Sequence, residues 1–298
     1  MNEEILVSII TPTYNRANLL PNLYESLCKQ TDFSFEWIIV DDGSTDNTKE
    51  VISKFKSDNF NIYYFAKSNG GKHTALNYGI KHCNGMLTFI VDSDDALTNE
   101  SIETIKKYYN KYKENNDLCG FSFLRQYQDG KLNVISGHED EYIGSYNQVR
   151  VYEQRIGDMA EVYYTNILKQ YPFPEFGNEK FLGEDIVWME IGKKYNLVFI
   201  NKPIYIGNYL EGGLTKNRKN YNIKSCHGCY ELSKKTLEIK IPFKFKIKKL
   251  IQLYVYGKFA GIKYNQMKQD CNNNKFWLFI IRLPSYLLYK YWDRKYNK

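Results

Sequence analysis

Four apolar runs, each followed by a polar turn and a stretch with helical spacing, constrain this chain more than any other feature. They are ILVSII (5–10), FEWIIV (35–40), NIYYFA (61–66) and MLTFIV (86–91). Each is too short for a buried helix and rich in β-branched or aromatic residues, so each reads as a strand. ILVSII, apolar on both sides of the pleat apart from Ser8, predicts a strand buried on both faces. Between the runs, LLPNLYESLCKQ (19–30) places Leu19, Leu20, Leu23 and Leu27 at helical spacing, with Pro21 tolerated near the first turn. DDGSTDNTKEVISKF offers Ser44, Thr45 and Asp46 as helix N-caps. NGGKHTALNYGIKHC (69–83) is a glycine turn leading into a helix, and TNESIETIKKYYNKY (98–112) an amphipathic helix. This alternation predicts an α/β fold: right-handed βαβ units forming a mainly parallel, Rossmann-like sheet flanked by helices.

In such sheets ligands bind beyond the carboxyl ends of the strands. TPTYNR, DDGS, NGGK and DSDD all fall on that rim. The last is chemically the most demanding. Asp92, Asp94 and Asp95 stand within four positions, where like charges repel and each resists desolvation. A divalent cation, Mg²⁺ or Mn²⁺, removes the repulsion, since it binds a few carboxylates together with phosphate oxygens. A lone Asp-x-Asp is more often a helix cap; four polar motifs on one rim favour the cation site. Asp41 could accept from a base N–H or a ribose hydroxyl, Lys72 could face a diphosphate, and Tyr14 could offer a flat face to a base. Each has a plainer alternative in a cap or a solvated turn.

In this order, VSIITPTYNRANLL, WIIVDDGSTDNT, SNGGKHTALNYGI and FIVDSDDALT resemble the nucleotide-binding half of the family-2 glycosyltransferases, which have the GT-A fold. The match runs from about residue 5 to 105 and continues more weakly to about 215 through GEDIVW. The resemblance implies an inverting transfer of one sugar from a nucleotide-sugar, with UDP favoured, to a glycan or lipid-linked acceptor in cell-surface polysaccharide synthesis. It implies that Thr11, Pro12, Thr13, Tyr14, Asp41, Asp92 and Ser93 hold the nucleotide and that Lys72 lies near the diphosphate. Asp92 and Asp94 would hold the metal, with Asp95 capping or orienting. Asp185, with Glu184 second, would be the base that inversion requires, and Trp188 would line the acceptor. No QxxRW segment follows, which points to a single transfer per encounter. The rivals are a nucleotidyltransferase, which needs glycines that TPTYNRAN lacks, and a non-catalytic sugar-nucleotide-binding scaffold, which would tolerate loss of Asp94 or Asp185. There is no P-loop and no GxGxxG.

The expected organisation is a catalytic domain over 1–215, divided at 105 into donor and acceptor halves, and a basic, mostly helical region over 216–298. In the acceptor half, LCGFSFLRQY and KLNVISG read as strands and GHEDEYIGSY as a loop. AEVYYTNILKQYPFP reads as a helix closed by prolines, GEDIVWMEIGKKY as a helix, and LVFINKPIYIGNYLEGGLT as two short strands. The net charge of +7 suits an anionic partner, here a nucleotide diphosphate or a membrane surface; no nucleic-acid motif accompanies it. FKFKIKKLIQLYVYGKFAGIKYNQMK (243–268) places Ile247, Leu250, Ile251, Tyr254 and Ile262 on one helical side among lysines. That side could lie on an anionic membrane, pack on the catalytic domain or form a homodimer. FWLFIIRLPSYLLYKYWDRKYNK (276–298), interrupted by Arg282, Pro284 and Lys290, is a poor spanning segment. Three of the six cysteines fall in segments that read as helix or strand, so buried free thiols in a reducing cytoplasm are the plainer reading, with CHGC (226–229) a weak redox or zinc half-site. MNEEILVSII carries acids where a secretory signal would be basic.

Overall fold

The computed structural model describes residues 5–133, 139–155, 157–207 and 218–296. Strands form at the four apolar runs: β1 (Val7–Thr13), β2 (Phe35–Asp41), β3 (Asn61–Ala66) and β4 (Leu87–Ile90). They pair in parallel in the order β3-β2-β1-β4. The crossovers carry α1 (Leu20–Cys28), α2 (Thr48–Ile52) and α3 (Lys72–Lys81). A short β5 (Ala96–Leu97) precedes α4 (Ser101–Tyr112). All seven residues of β1 and of β2 are buried, the polar ones included: the Ser8 hydroxyl donates to the buried Glu36 carboxylate at 2.6 Å.

Four further strands complete the sheet: β6 (Leu118–Gln126), β7 (Tyr142–Gly144), β8 (Met159–Tyr164) and β9 (Asn196–Ile206). The order continues β4-β8-β6-β9-β5, with β7 on β9. β8 is antiparallel to both its neighbours, while β6 and β9 run parallel. The sheet is therefore parallel over its first four strands and mixed beyond them.

The second half also departs from expectation in detail. AEVYYTNILKQYPFP is not one helix. Its first part is β8, and only Thr165–Leu168 (α5) is helical. Insertion between β4 and β6 decides this: Ala160 and Val162 enter one core layer and Tyr163 the other, an alternation with the period of a strand. LVFINKPIYI is one continuous strand rather than two, and the stretch beyond Gly207, like most of KLNVISG, lies outside the described residues. Leu132 of KLNVISG bridges Gln126. GHEDEYIGSY contains β7 instead of being loop throughout. At α2 neither Ser44 nor Thr45 caps; Asp46 accepts from the Thr48 N–H (3.0 Å) and hydroxyl (2.6 Å).

The pleat sorts the sheet's side chains into two layers. Val7, Ile9, Trp37 and Ile39 face α1, α2 and α4. Ile10, Ile38 and Val40 face α3, α5 and the helix α6 (Asp185–Ile191). This second layer continues into the C-terminal helices: α7 (Arg218–Lys224), α8 (Cys226–Glu238), α9 (Phe243–Phe259), α10 (Tyr264–Asp270), α11 (Lys275–Ile280) and α12 (Arg282–Tyr296). Leu250, Leu253, Met267 and Leu278 belong to the same apolar cluster as Ile10. The apolar side anticipated on 243–268 is thus turned inward, with Leu250 and Tyr254 buried and Ile247, Ile251 and Ile262 packed against the cluster. Among the described residues no helix is long and apolar enough to cross a membrane.

Candidate functional site

The carboxyl ends of β1, β2 and β4 open into a cleft of about 1290 Å³, closed on its far side by residues 178–188. Asp92, Asp94 and Asp95 occupy the turn after β4, their carboxylate oxygens within 4.8 Å of one another. Tyr205 on β9 pins that turn: its hydroxyl accepts from the Asp92 N–H (3.0 Å) and donates to Asp95 (2.7 Å). Arg125 on β6 lies over the Tyr205 ring at 3.6 Å, with its guanidinium 3.6 Å from Asp95. Asp95 is thereby engaged in holding the loop.

Lys72, the first residue of α3, reaches across the cleft. Its ammonium lies 2.5 Å from Asp92 and 2.7 Å from Glu184, and all three side chains are about a third exposed. Burial works to lower the Lys72 pKa, but the two carboxylates override it and hold the group above its ordinary value. Burial likewise acts to raise Asp92, and Lys72 with Arg125 holds it below the usual carboxylate range. Asp94 is raised, mainly by burial and then by the Asp92 charge. Hard oxygen donors this close together, one of them costly to ionise, suit a divalent cation.

The NGGK loop that places Lys72 is held from β2. Asp42 accepts from the N–H groups of Gly70 (2.9 Å) and Gly71 (2.7 Å) and pairs with Lys67 at 2.8 Å. Gly71 has φ +97°, and a Cβ there would lie 2.2 Å from the Lys180 carbonyl oxygen. Only glycine permits that approach of the loop to residue 180.

Of the remaining anticipated residues, Pro12, Thr13, Tyr14 and Ser93 line the cleft. Thr13 carries a buried hydroxyl with no hydrogen-bond partner, and Tyr14 is 47% exposed. Two residues are directed elsewhere. The Thr11 hydroxyl accepts from the indole N–H of Trp37 at 2.9 Å inside the core. The Asp41 carboxylate accepts from the Ser44 N–H (2.8 Å) and the Tyr64 hydroxyl (2.9 Å), while its neighbour Asp42 lines the cleft. Thr11→Val should therefore cost about 1–3 kcal/mol of stability, by leaving the Trp37 N–H unpaired. Nucleotide affinity should stay within twofold of wild type; denaturant unfolding and calorimetry read the two effects separately.

Asp185 opens α6 and Glu184 precedes it. The Asp185 carboxylate folds back over Gly183, where a Cβ would come within 2.5 Å of it. Trp188 touches the cleft but is 7% exposed, stacked on Tyr163 at 4.3 Å and edge-on to Phe173. It is largely a core residue, so the acceptor contact expected of it is at most marginal. Glu161, unanticipated, also lines the cleft; burial lifts its carboxyl to about 7 against the pull of Arg150 and Arg125. The signal for Glu161 was a single acid between apolar neighbours in a segment read as helix. Arg125 and Tyr205 carried no local signal.

CHGC opens α8 directly after Ser225, which lines the cleft. Glu179 accepts there from the N–H groups of His227 (2.8 Å) and Gly228 (2.9 Å) and contacts His227 Nδ1 at 2.8 Å. That is a helix cap, and both cysteines are free thiols.

A Rossmann-like sheet with an Asp-x-Asp turn after its fourth strand, facing a second acidic pair across one cleft, defines the GT-A fold of nucleotide-sugar-dependent glycosyltransferases. The model of Glycosyl transferase family 2 matches residues 8–161, and the chain belongs to that family. It is 31% identical over 199 residues to an uncharacterized glycosyltransferase of Rickettsia felis, covering 66% of this chain and 32% of that one. The chain spans about a third of the length of the curated relatives it matches first. The structure of S. aureus TarS 1–349 in complex with UDP-GlcNAc superposes with a TM-score of 0.59 at 19% identity, over 92% of this chain and 78% of that one. The mannosyltransferase PcManGT from Pyrobaculum calidifontis, in complex with GDP-Man and Mn²⁺, gives 0.56 at 17%, over 98% and 87%.

Proposed function

We propose that this chain is an inverting, divalent-metal-dependent glycosyltransferase. It moves one sugar from a nucleotide-sugar, with UDP as the preferred nucleoside diphosphate, to a hydroxyl of a glycan or lipid-linked glycan in cell-surface polysaccharide synthesis on the cytoplasmic side. The observation that carries the reading is the span of Lys72 between Asp92 and Glu184, which brings the acids after β4 and those at α6 into one cleft. The UDP-GlcNAc and GDP-Man complexes of its structural neighbours support a nucleotide-sugar donor.

In this reading Thr13 and Tyr14 receive the nucleoside, and Asp92 with Ser93 the ribose and phosphates. Lys72 leaves its carboxylate partners to neutralise the diphosphate. Asp92 and Asp94 would hold Mg²⁺ or Mn²⁺, which supplies Lewis-acid stabilisation of the departing diphosphate. Asp185 removes the proton from the acceptor hydroxyl. The oxygen bonds to the anomeric carbon from the face opposite the leaving group, the bond from that carbon to the diphosphate oxygen breaks, and the configuration inverts. Glu184, which pairs with Lys72 at 2.7 Å before the donor binds, is the second candidate for the base.

Calorimetric titration of UDP, GDP, dTDP and CMP, with and without Mn²⁺, tests the donor half. Micromolar binding of one nucleoside diphosphate that requires the metal is the expected result, about −8 kcal/mol. Binding of none of them would overturn the reading.

A further inference from the structure

The last two helices leave one apolar face uncovered. α11 and α12 bury Leu278, Ile281 and Ser285, and Tyr289 meets Phe259 of α9 edge-on at 4.9 Å. On the outer side Phe276 and Phe279 are each 65% exposed, Leu283 68%, Leu287 61%, Tyr291 59% and Ile280 51%. Their spacing follows the helical turn, so they form one stripe along both helices. Phe243, itself exposed, extends it by packing edge-on against Trp277 at 4.8 Å. Single exposed apolar side chains are ordinary; a continuous aromatic and aliphatic stripe marks a surface that is covered in use.

The charge around the stripe identifies what covers it. Between residues 243 and 298 thirteen Lys and Arg residues stand against only Asp270 and Asp293, although the whole chain carries just +7. The remainder of the chain is therefore net acidic. Lys275, Arg282, Lys290, Arg294 and Lys295 are all exposed on these same two helices. Lys290 lies over the Tyr286 ring at 6.0 Å and Lys295 over the Tyr291 ring at 5.9 Å. A second copy of the chain would bring like charge against like. An anionic lipid surface satisfies both features: the apolar side chains enter the acyl boundary while the basic heads stay among the phosphates.

We propose that the α11–α12 stripe docks this protein on the surface of a membrane containing anionic lipid, the helices lying in its plane. The face differs from the one the sequence suggested: α9 spends its apolar side on the core, and the uncovered apolar surface lies on the segment that follows it.

Co-sedimentation of the full chain with vesicles tests this, using phosphatidylcholine alone and an equal mixture with phosphatidylglycerol. The wild-type chain should partition onto the mixed vesicles roughly tenfold or more better than onto phosphatidylcholine, and high salt should weaken the binding. L283E/L287E should reduce that partition roughly tenfold or more. Both positions are over 60% exposed, so the melting temperature should not change. Absence of binding to the mixed vesicles overturns the proposal, as does equal binding by wild type and L283E/L287E. So does a wild-type dimer that L283E/L287E dissociates without any vesicle binding, which would assign the stripe to contact between copies. The assay needs neither sugar donor nor acceptor, so it succeeds or fails apart from the catalytic reading.

Discussion

Asp185→Asn should lower kcat by about 10³-fold, roughly 4 kcal/mol of transition-state stabilisation, while leaving nucleoside diphosphate affinity within twofold. The amide keeps the volume and polarity of the carboxylate at the start of α6 but cannot take a proton from the acceptor hydroxyl. Glu184→Gln is the informative companion. Glu184 lies 2.7 Å from the Lys72 ammonium, so its loss should act on donor binding by releasing Lys72, with an effect on kcat of about tenfold or less. Steady-state kinetics on both variants, with the product nucleotide titrated separately, divides the roles. If Glu184→Gln abolishes turnover and Asp185→Asn does not, the base is Glu184.

Asp94→Asn is expected to abolish the metal requirement for nucleotide binding and to weaken that binding about 10²-fold or more, roughly 3 kcal/mol. It should not destabilise the fold. Burial, and next the Asp92 charge, raise the Asp94 carboxyl above its ordinary value. A carboxyl raised on folding costs the protein stability as the pH climbs through its folded-state value. The neutral amide removes that cost, so the metal-free variant should melt no lower than wild type at neutral pH, and higher if the repulsion is appreciable. Thermal melts with and without Mn²⁺ test both halves. A variant that melts well below wild type in the absence of metal would place Asp94 in the structure of the loop and not in the cation site.

These two residues stood out in the sequence because each belongs to a local pattern. Asp94 sits in an acidic turn directly after an apolar run, and Asp185 in an acidic pair at the head of a helix with apolar periodicity. The first half of the fold was legible for the same reason: its strands are short, mostly apolar runs ended by polar turns, and helical spacing recurs between them. The second half was less so. β8 lies between two antiparallel neighbours and mixes good helix formers with aromatics, so its period of two is hard to read in MAEVYY. Misreading it also concealed Glu161, whose place on the cleft wall depends on that strand's pleat.

The sequence by itself determined the parallel first half of the sheet, the rim on which its polar motifs meet, and the two acidic clusters. Tertiary structure alone decided which partner each acid on that rim meets. Asp41 and Asp42 are adjacent and chemically identical; Tyr64 and Ser44 engage the first, while the NGG loop turns the second to the cavity wall. Asp92, Asp94 and Asp95 are distinguished by Tyr205 and Arg125, which come from strands far along the chain. Burial in a strand or helix follows from a short-range period, whereas the setting of a charged side chain at a strand end depends also on a partner distant in the sequence, as Tyr64 is for Asp41 and Tyr205 for Asp95. Only the packed sheet supplies that partner.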